Sequence, residues 1–126
     1  MREIKFRAWD RKTREMRRVT QIDFPEWFVA TQDGNNYYDV ERNSFKNEIT
    51  DRHLLMQYTG LKDCNIEEIY DGDILEIYLN AGNIIKKPVE FYKGSYYAMN
   101  YRISNILHKA RVIGNIYENP ELLETK

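Results

Sequence analysis

A mainly β fold is predicted by the residue types of this 126-residue chain and by the period of its apolar positions. Ten tyrosines and five phenylalanines favour strands, and alanine, the strongest helix former, occurs only five times. Segments such as "DILEIYL" alternate between two faces, which is typical of strands. We expect antiparallel strands in a small barrel-like or curled sheet, with an added N-terminal β layer and one or two short helices.

The N-terminal β layer is expected to occupy residues 1–53. "EIKFRAW" alternates with period 2, as a half-buried strand does, and "MRRVTQIDF" is a second strand that Pro25 interrupts because proline cannot donate to a strand ladder. "WFVAT" and "YYDV" are predicted to pair across Asp33-Gly34, a strong hairpin signal. Residues 41–53 have no apolar period, so we expect a surface loop there, of a length that is often mobile or functional.

The barrel-like part is expected to occupy residues 54–126. Its predicted strands are "LLMQYTG", "DILEIYL", "KKPVEFY", "SYYAMNYR" and "ARVIGNIYE", with a turn at Lys93-Gly94 between the third and the fourth. "ISNILHK" is the best internal helix candidate, with Ser104 as its N-cap. "NPELLE" predicts a short terminal helix, because Asn119 suits the N-cap and proline suits the first helical position.

The size and composition of the chain fit a single domain over residues 1–126. Hydrophobic residues make up 42% and charged residues 31%, which is typical of a soluble globular protein. The only cysteine excludes an internal disulfide, and "MREIKFRAWD" has no apolar signal core. No apolar run approaches the ~20 residues needed to span a bilayer. We therefore expect a cytoplasmic protein without a membrane partner.

Basic residues are concentrated at the start of the chain. The first 20 residues hold eight basic and three acidic side chains, whereas the whole chain has a net charge of −1. Such a basic arm could bind nucleic acid through counterion release, or it could pair with acidic groups of the same or a neighbouring molecule. The arm is therefore one candidate contact region, with both alternatives open.

A second candidate contact region is the stretch "FYKGSYYAMNYR", in which aromatic and basic residues interleave. It could form a stacking platform for single strands on a curved sheet, or its tyrosines could fill the core and keep their hydroxyls at the edge. The candidate nucleic-acid or partner contacts from both regions are Arg7, Arg11, Lys12, Arg17, Arg18, Tyr92, Tyr96 and Arg102.

An acidic stretch covers residues 63–76 and holds six carboxylates. Carboxylates can bind Mg²⁺ or Ca²⁺ or act as an acid/base pair, but the spacing of a calcium-binding loop is absent. Asp71-Gly72-Asp73 instead indicates a turn in which aspartates accept hydrogen bonds from nearby backbone N–H groups. We therefore favour a structural role for the stretch over that of a metal-dependent hydrolase.

Other catalytic and cofactor signals are missing from the sequence. His53 and His108 lie in unrelated segments and are predicted to be exposed or capping residues. The motifs of a nucleophilic serine and of glycine-rich phosphate loops are absent. We accordingly predict no catalytic residue, no cofactor-binding residue and no metal ligand.

Three segments resemble one known family. "MREIKFRAWD", "LMQYTGLKD…EIYDGDIL" and "VIGNIYENPELL" are similar, in this order, to segments of the YopX family of small proteins encoded by phages and prophages, mostly in Gram-positive bacteria. The resemblance implies a mainly β protein made in an infected or lysogenic host cell. It implies no biochemical activity and provides no catalytic or ligand residues.

One turn departs from the pattern of that family, in which Asn-Gly usually follows the Lys-Asp. Here the residues are Asp63-Cys64-Asn65-Ile66. Asparagine tolerates a left-handed backbone, whereas a β-branched residue such as Ile66 is not expected to adopt one. We therefore predict a loop wider than a two-residue type I′ hairpin.

Three functions follow from these observations. The preferred one is a non-enzymatic binding or assembly module in the host cytoplasm, whose partner is a host protein, a phage protein or a second copy in a homo-oligomer. The second is a nucleic-acid-binding protein that uses the basic arm. The third is a metal-dependent hydrolase built on the acidic stretch.

Overall fold

Two compact units make up the part of the chain that the computed structural model describes. The described residues are 3–26, 28–38 and 53–123. An N-terminal unit consists of Ile4–Gln57, and a C-terminal unit combines Met1–Glu3 with Tyr58–Lys126. The single domain predicted for residues 1–126 stays a prediction. Apart from His53, the loop predicted at 41–53 lies outside the described residues.

The mainly β prediction is confirmed, because the described residues form two antiparallel sheets. The strands are β1 (Phe6–Asp10), β2 (Glu15–Asp23), β3 (Phe28–Thr31), β4 (Asn36–Tyr37), β5 (His53–Lys62), β6 (Glu68–Tyr70), β7 (Asp73–Tyr78), β8 (Ile84–Tyr92), β9 (Ser95–Ala98), β10 (Tyr101–Arg102) and β11 (Ala110–Asn115). Their order is β4-β3-β2-β1-β5-β6 in one sheet and β10-β9-β8-β7-β11 in the other. Closure of residues 54–126 into a barrel stays a prediction.

In the N-terminal unit, β1 is the strand that organises the packing. It pairs with β2 on one side and with the first half of β5 on the other. The predicted one-sided burial of this strand is wrong at its C-terminal end, where Ala8, Trp9 and Asp10 are buried in succession. Side chains alternate between the two faces of a strand, so both faces are covered there and a carboxylate is buried with them.

The turns of the N-terminal unit follow the predicted signals. Strand β2 ends at Asp23, whose carboxylate accepts a hydrogen bond from the backbone N–H of Glu26 at 2.9 Å, around Pro25. Strands β3 and β4 form the expected hairpin. Gly34 has a φ of 84° there, and Asp33 accepts from the backbone of Asn35, as aspartate commonly does in turns.

The core of the C-terminal unit centres on β7. Its aliphatic residues Ile74, Leu75 and Ile77 lie on both faces of the sheet and are completely buried, each contributing about 1.5–3 kcal/mol through removal from water. The buried cluster around them consists of Ile69, Leu75, Ile77, Val89, Tyr96, Ala98, Ile103, Ile106 and Ala110. Residues 84–88 of β8 pair with β7 and residues 89–92 pair with β9, so each half of the strand is held by a neighbouring strand.

The turn between β5 and β6 is wider than a two-residue hairpin, which confirms the prediction. Asp63 N–H donates to the Glu67 carbonyl at 2.9 Å, and Ile66 N–H donates to the Asp63 carbonyl at 3.0 Å. The expectation that Ile66 avoids the left-handed region is wrong, because its φ is 65°. Hydrogen bonds on both sides of Ile66 hold the backbone in this conformation although its side chain disfavours it.

Both predicted helices are replaced by 3-10 turns. "ISNILHK" forms two of them, Ile103–Asn105 and Leu107–Lys109, and no side chain caps either one. Ser104 is inside the first turn, so its predicted N-cap role is wrong. A seven-residue segment is too short for a stable α-helix by itself, and two tight turns suffice to bury its isoleucines. The terminal segment likewise forms a 3-10 turn at Pro120–Leu123.

The predicted strand "SYYAMNYR" is divided into two strands. Strand β9 ends at Ala98, and Met99 adopts a φ of 60° before β10 begins at Tyr101. The chain therefore reverses at Met99-Asn100, and β10 pairs back onto β9.

No helix within residues 3–26, 28–38 or 53–123 has the length and apolar character needed to cross a membrane.

Candidate binding surface

The hairpin of β8 and β9 carries the most exposed aromatic residues of the C-terminal unit. Tyr92 and Ser95 form its last cross-strand pair, and the connecting residues Lys93 and Gly94 have φ values of 48° and 85°. Positive φ at both central residues is the requirement of a type I′ turn, whose twist matches that of the flanking strands. The turn thereby fixes which residues face each other.

The register of this hairpin separates its aromatic residues onto two faces. Phe91 lies opposite Tyr96 on the face that continues into the buried core, and their rings meet edge to face at 5.0 Å. Glu90 lies opposite Tyr97 on the other face, and Arg102 of β10 pairs with Tyr97 on the same side. The outer face therefore presents two aromatic rings, Tyr97 and its diagonal neighbour Tyr92, whose centres lie 6.4 Å apart.

A groove of about 700 Å³ lies at the turn end of this hairpin. We name it the aromatic groove, and it is lined by Phe91, Tyr92, Lys93, Tyr97, Met99 and Asn100, with Glu90 beside them. Phe91 is 60% exposed, Tyr92 59% and Met99 54%. Its volume falls within the roughly 300–1,000 Å³ of ligand-binding pockets. Tyr92 and Met99 thus share this concavity with Tyr97, whereas the Phe91 ring lies on the opposite face of the hairpin, against Tyr96.

Two cations accompany the rings of the aromatic groove. The Lys93 ammonium lies 5.4 Å from the centre of the Tyr92 ring. The Arg102 guanidinium lies 5.9 Å from the centre of the Tyr97 ring and donates to its hydroxyl at 3.4 Å. Cations within about 6 Å of an aromatic face are attracted by the ring quadrupole. The positive charges are therefore held at the edge of the groove.

Two of the predicted aromatic-region contacts, Tyr92 and Arg102, lie at this surface, whereas Tyr96 is only 8% exposed. Sequence reasoning missed Phe91 and Met99. The turn signal at positions 93 and 94 would have placed Phe91 opposite Tyr96. No comparable signal marks Met99, because its exposure results from a left-handed backbone at a residue that usually avoids one.

The predicted basic contacts belong to the N-terminal unit and differ in accessibility. Arg11 and Lys12 are exposed in the connection between β1 and β2, Arg18 is exposed on β2, and Arg7 is half-buried. Arg17 is mostly buried, with 14% of its side chain exposed. The arm therefore presents three of the five predicted basic side chains fully to solvent.

Arg17 is held by three carboxylates of its own unit. Its guanidinium contacts Asp10 at 3.2 Å, Glu15 at 3.0 Å and Asp33 at 3.0 Å. The Asp33 carboxylate accepts hydrogen bonds from the Thr31 hydroxyl, which has the largest effect, and from other neighbouring donors. These bonds hold the pKa of Asp33 well below its usual range. Since these acids compensate its charge, Arg17 offers little attraction to a phosphate group.

His53 lies beside Asp10, one of the acids that contact Arg17, and the prediction that His53 is exposed or capping is wrong. Its side chain is completely buried, with Nε2 3.6 Å from a carboxylate oxygen of Asp10. Its ring centre lies 4.1 Å from that of Tyr37. An Asp-His pair can perform proton transfer where substrate reaches it, but both of these side chains have no solvent exposure. His108, in contrast, is exposed.

The acidic stretch is used in backbone hydrogen bonds, as its structural interpretation predicts. The Asp63 carboxylate accepts from the N–H groups of Asn65 at 2.8 Å, Glu67 at 2.9 Å and Val112 at 2.7 Å. Asp73 accepts from the N–H of Tyr70 at 2.7 Å. Among the described residues, no group of three or more His, Cys, Asp or Glu side chains could hold a metal ion.

Comparisons with known proteins agree with the described fold. The family model described as YopX protein matches residues 5–124. None of the curated proteins matches this chain. Among solved structures, the crystal structure of protein EF1440 from Enterococcus faecalis is similar, with 31% sequence identity and a TM-score of 0.68. The match covers 98% of this chain and 100% of that chain.

Proposed function

This chain belongs to the YopX protein family, and we propose that it is a non-enzymatic binding module of phage or prophage origin, acting in the host cytoplasm. The proposed binding surface is the aromatic groove. The observation that carries the proposal is that Tyr92 and Met99, each more than half exposed, line one concavity together with Tyr97. Contiguous apolar surface on a folded protein commonly marks an interaction site.

The scaffold beneath the groove supports this proposal. Tyr92 and Tyr97 lie on paired strands, because residues 89–92 of β8 pair with β9. Val89, at the start of this paired segment, is buried in the core at 2% exposure with Ala98 opposite. Side chains presented by paired strands lose less conformational freedom on binding than side chains on loops. The groove is therefore organised before a partner arrives.

Binding of nucleic acid by the basic arm is a second candidate function. Exposure of Arg11, Lys12 and Arg18 favours it, whereas the compensated charge of Arg17 counts against it. Labelled DNA and RNA titrated at low and high salt would decide, because phosphate contacts strengthen as salt is removed. Absence of binding at low salt would eliminate this function.

The metal-dependent hydrolase has less support, because the carboxylates of Asp63 and Asp73 accept hydrogen bonds from backbone N–H groups.

The test of the proposed function places a photo-crosslinker in the groove. Tyr92→p-benzoyl-phenylalanine keeps an aromatic side chain at an exposed position, and the same change at Tyr78 serves as control because that tyrosine is 42% exposed outside the groove. Both variants are expressed in bacteria that carry the gene and are irradiated. We expect discrete adducts from position 92 that are absent from position 78. No adduct, or the same adducts from both positions, would overturn the proposal.

A further inference from the structure

We propose that the aromatic groove binds an extended peptide segment of another protein. The segment has an aromatic or long aliphatic anchor side chain and a carboxylate next to it. This inference rests on the proposed function and names its partner. It follows from three features of the groove: an apolar centre, positive charge at the edge, and an unneutralised acid that disfavours a nucleic-acid strand.

The apolar centre fits an anchor side chain. Tyr92 and Tyr97 provide ring surface, and Met99 adds an unbranched thioether chain that adapts to the shape of its neighbour. Aromatic residues, methionine and arginine are the residue types enriched in the buried centres of protein interfaces. Association would remove surface from Tyr92 and Met99, which are now more than half exposed.

The charges at the edge of the groove determine which type of peptide residue lies next to the anchor. Lys93 and Arg102 stand at the edge, each above a tyrosine ring, and can pair with a carboxylate of the peptide. Opposite charges across an interface give specificity and faster association. We therefore expect acidic residues beside the anchor and few basic ones.

Glu90 argues against a nucleic-acid strand as the occupant. It is exposed beside the groove on the face of Tyr97, and none of the described residues forms an ion pair with it. A strand that stacked its bases on Tyr97 would bring its phosphates near this carboxylate, and like charges repel. A peptide carries charge only where its sequence supplies one, so its carboxylate can pair with Arg102, on the side of Tyr97 opposite Glu90, and leave the Glu90 side uncharged.

The test is a selection of random peptides displayed on phage against the immobilised protein. The groove variant combines Tyr92→Ser with Met99→Asn. The first change removes an exposed ring, and the second places asparagine, which tolerates the left-handed backbone, at a φ of 60°. Both changes should leave the fold intact, and circular dichroism checks that. The control variant is Tyr78→Ser.

We expect enriched peptides that share an aromatic or long aliphatic residue flanked by acids. Synthetic copies should bind the groove variant at least roughly tenfold more weakly and the control within about twofold. Two results would overturn the inference: no enrichment that depends on the groove, or groove-dependent binding of a fluorescent oligothymidylate that Glu90→Gln strengthens. If position 92 still crosslinks a partner in cells, only the peptide inference fails and the binding module stands.

Discussion

Replacement of Asp63 tests how far one buried carboxylate holds the C-terminal unit together. Asp63 is 6% exposed and accepts three backbone hydrogen bonds, two within its own turn and one from Val112 of β11. A hydrogen bond to a charged group contributes about 1.5–3 kcal/mol. Because three bonds share one carboxylate, we take the lower end of that range for each and expect Asp63→Ala to reduce the free energy of unfolding by about 4–5 kcal/mol.

Asp63→Asn separates the contribution of the turn from that of β11. The remaining amide oxygen can keep the bonds from Asn65 and Glu67, which both reach Oδ1. The amide nitrogen then faces the N–H of Val112, so one acceptor is lost and two donors oppose each other. We expect a loss of about 1.5–3 kcal/mol, smaller than that of the alanine variant.

Urea denaturation followed by circular dichroism at neutral pH gives both free energies by linear extrapolation. Glu67→Gln is the matched control, since it makes the same carboxylate-to-amide change at an exposed position of the same turn, and it should change stability by less than about 0.5 kcal/mol. A loss below about 1 kcal/mol for Asp63→Ala would show that the three hydrogen bonds do not support the fold.

Three further predictions concern single side chains. Ile66→Gly should raise the free energy of unfolding by about 1 kcal/mol, because relief of the left-handed strain at φ 65° exceeds the entropic cost of glycine; unchanged or lower stability in urea would contradict this. Gly114→Ala should lower stability by about 1–3 kcal/mol, because its Cβ would lie 2.5 Å from the Asn119 amide oxygen, and an unaltered thermal midpoint would count against it. Glu76→Gln should be less stable than the wild type at pH 7. A hydrogen bond from Arg111 lowers the pKa of Glu76 below 4.5 in the folded state, so its stabilisation is present above the unfolded pKa and is lost as the pH falls through the folded pKa. The difference in urea stability between the two proteins should therefore shrink from pH 7 to pH 3, and a constant difference would refute the linkage.

The fold was predictable where the sequence carries a local signal. Alternation in "DILEIYL" identifies β7, and the glycines at positions 34 and 94 mark hairpins because they adopt positive φ at no steric cost. The helices were not predictable, because apolar residues three and four apart in "ISNILHK" fit two consecutive 3-10 turns as well as one α-helical face. The period alone cannot distinguish them in so short a segment.

The candidate site was only partly predictable for a related reason. The interleaved aromatic and basic residues marked the hairpin that carries the groove, and Tyr92 and Arg102 lie at the groove. The assignment of Tyr96 to the surface depended on which face packs, which follows from contacts with distant strands. The burial of His53 likewise depends on Asp10, a partner brought alongside it by strand pairing. Such long-range pairing leaves no local mark in the sequence.

The hydrogen bond from Val112 to Asp63 also limits how this protein can aggregate. Strand β11 is the last strand of its sheet, and the outer edge of such a strand can template the addition of another chain. On this edge, the first hydrogen-bonding groups of β11 already have partners within the chain. The Ala110 carbonyl accepts a hydrogen bond from the N–H of Cys64, and the Val112 N–H donates one to Asp63. A second copy can extend the sheet at this point only after displacing the chain's own turn. A variant that loosens the turn therefore opens the edge as well, and its loss of stability should be accompanied by fibre-like assembly at high protein concentration.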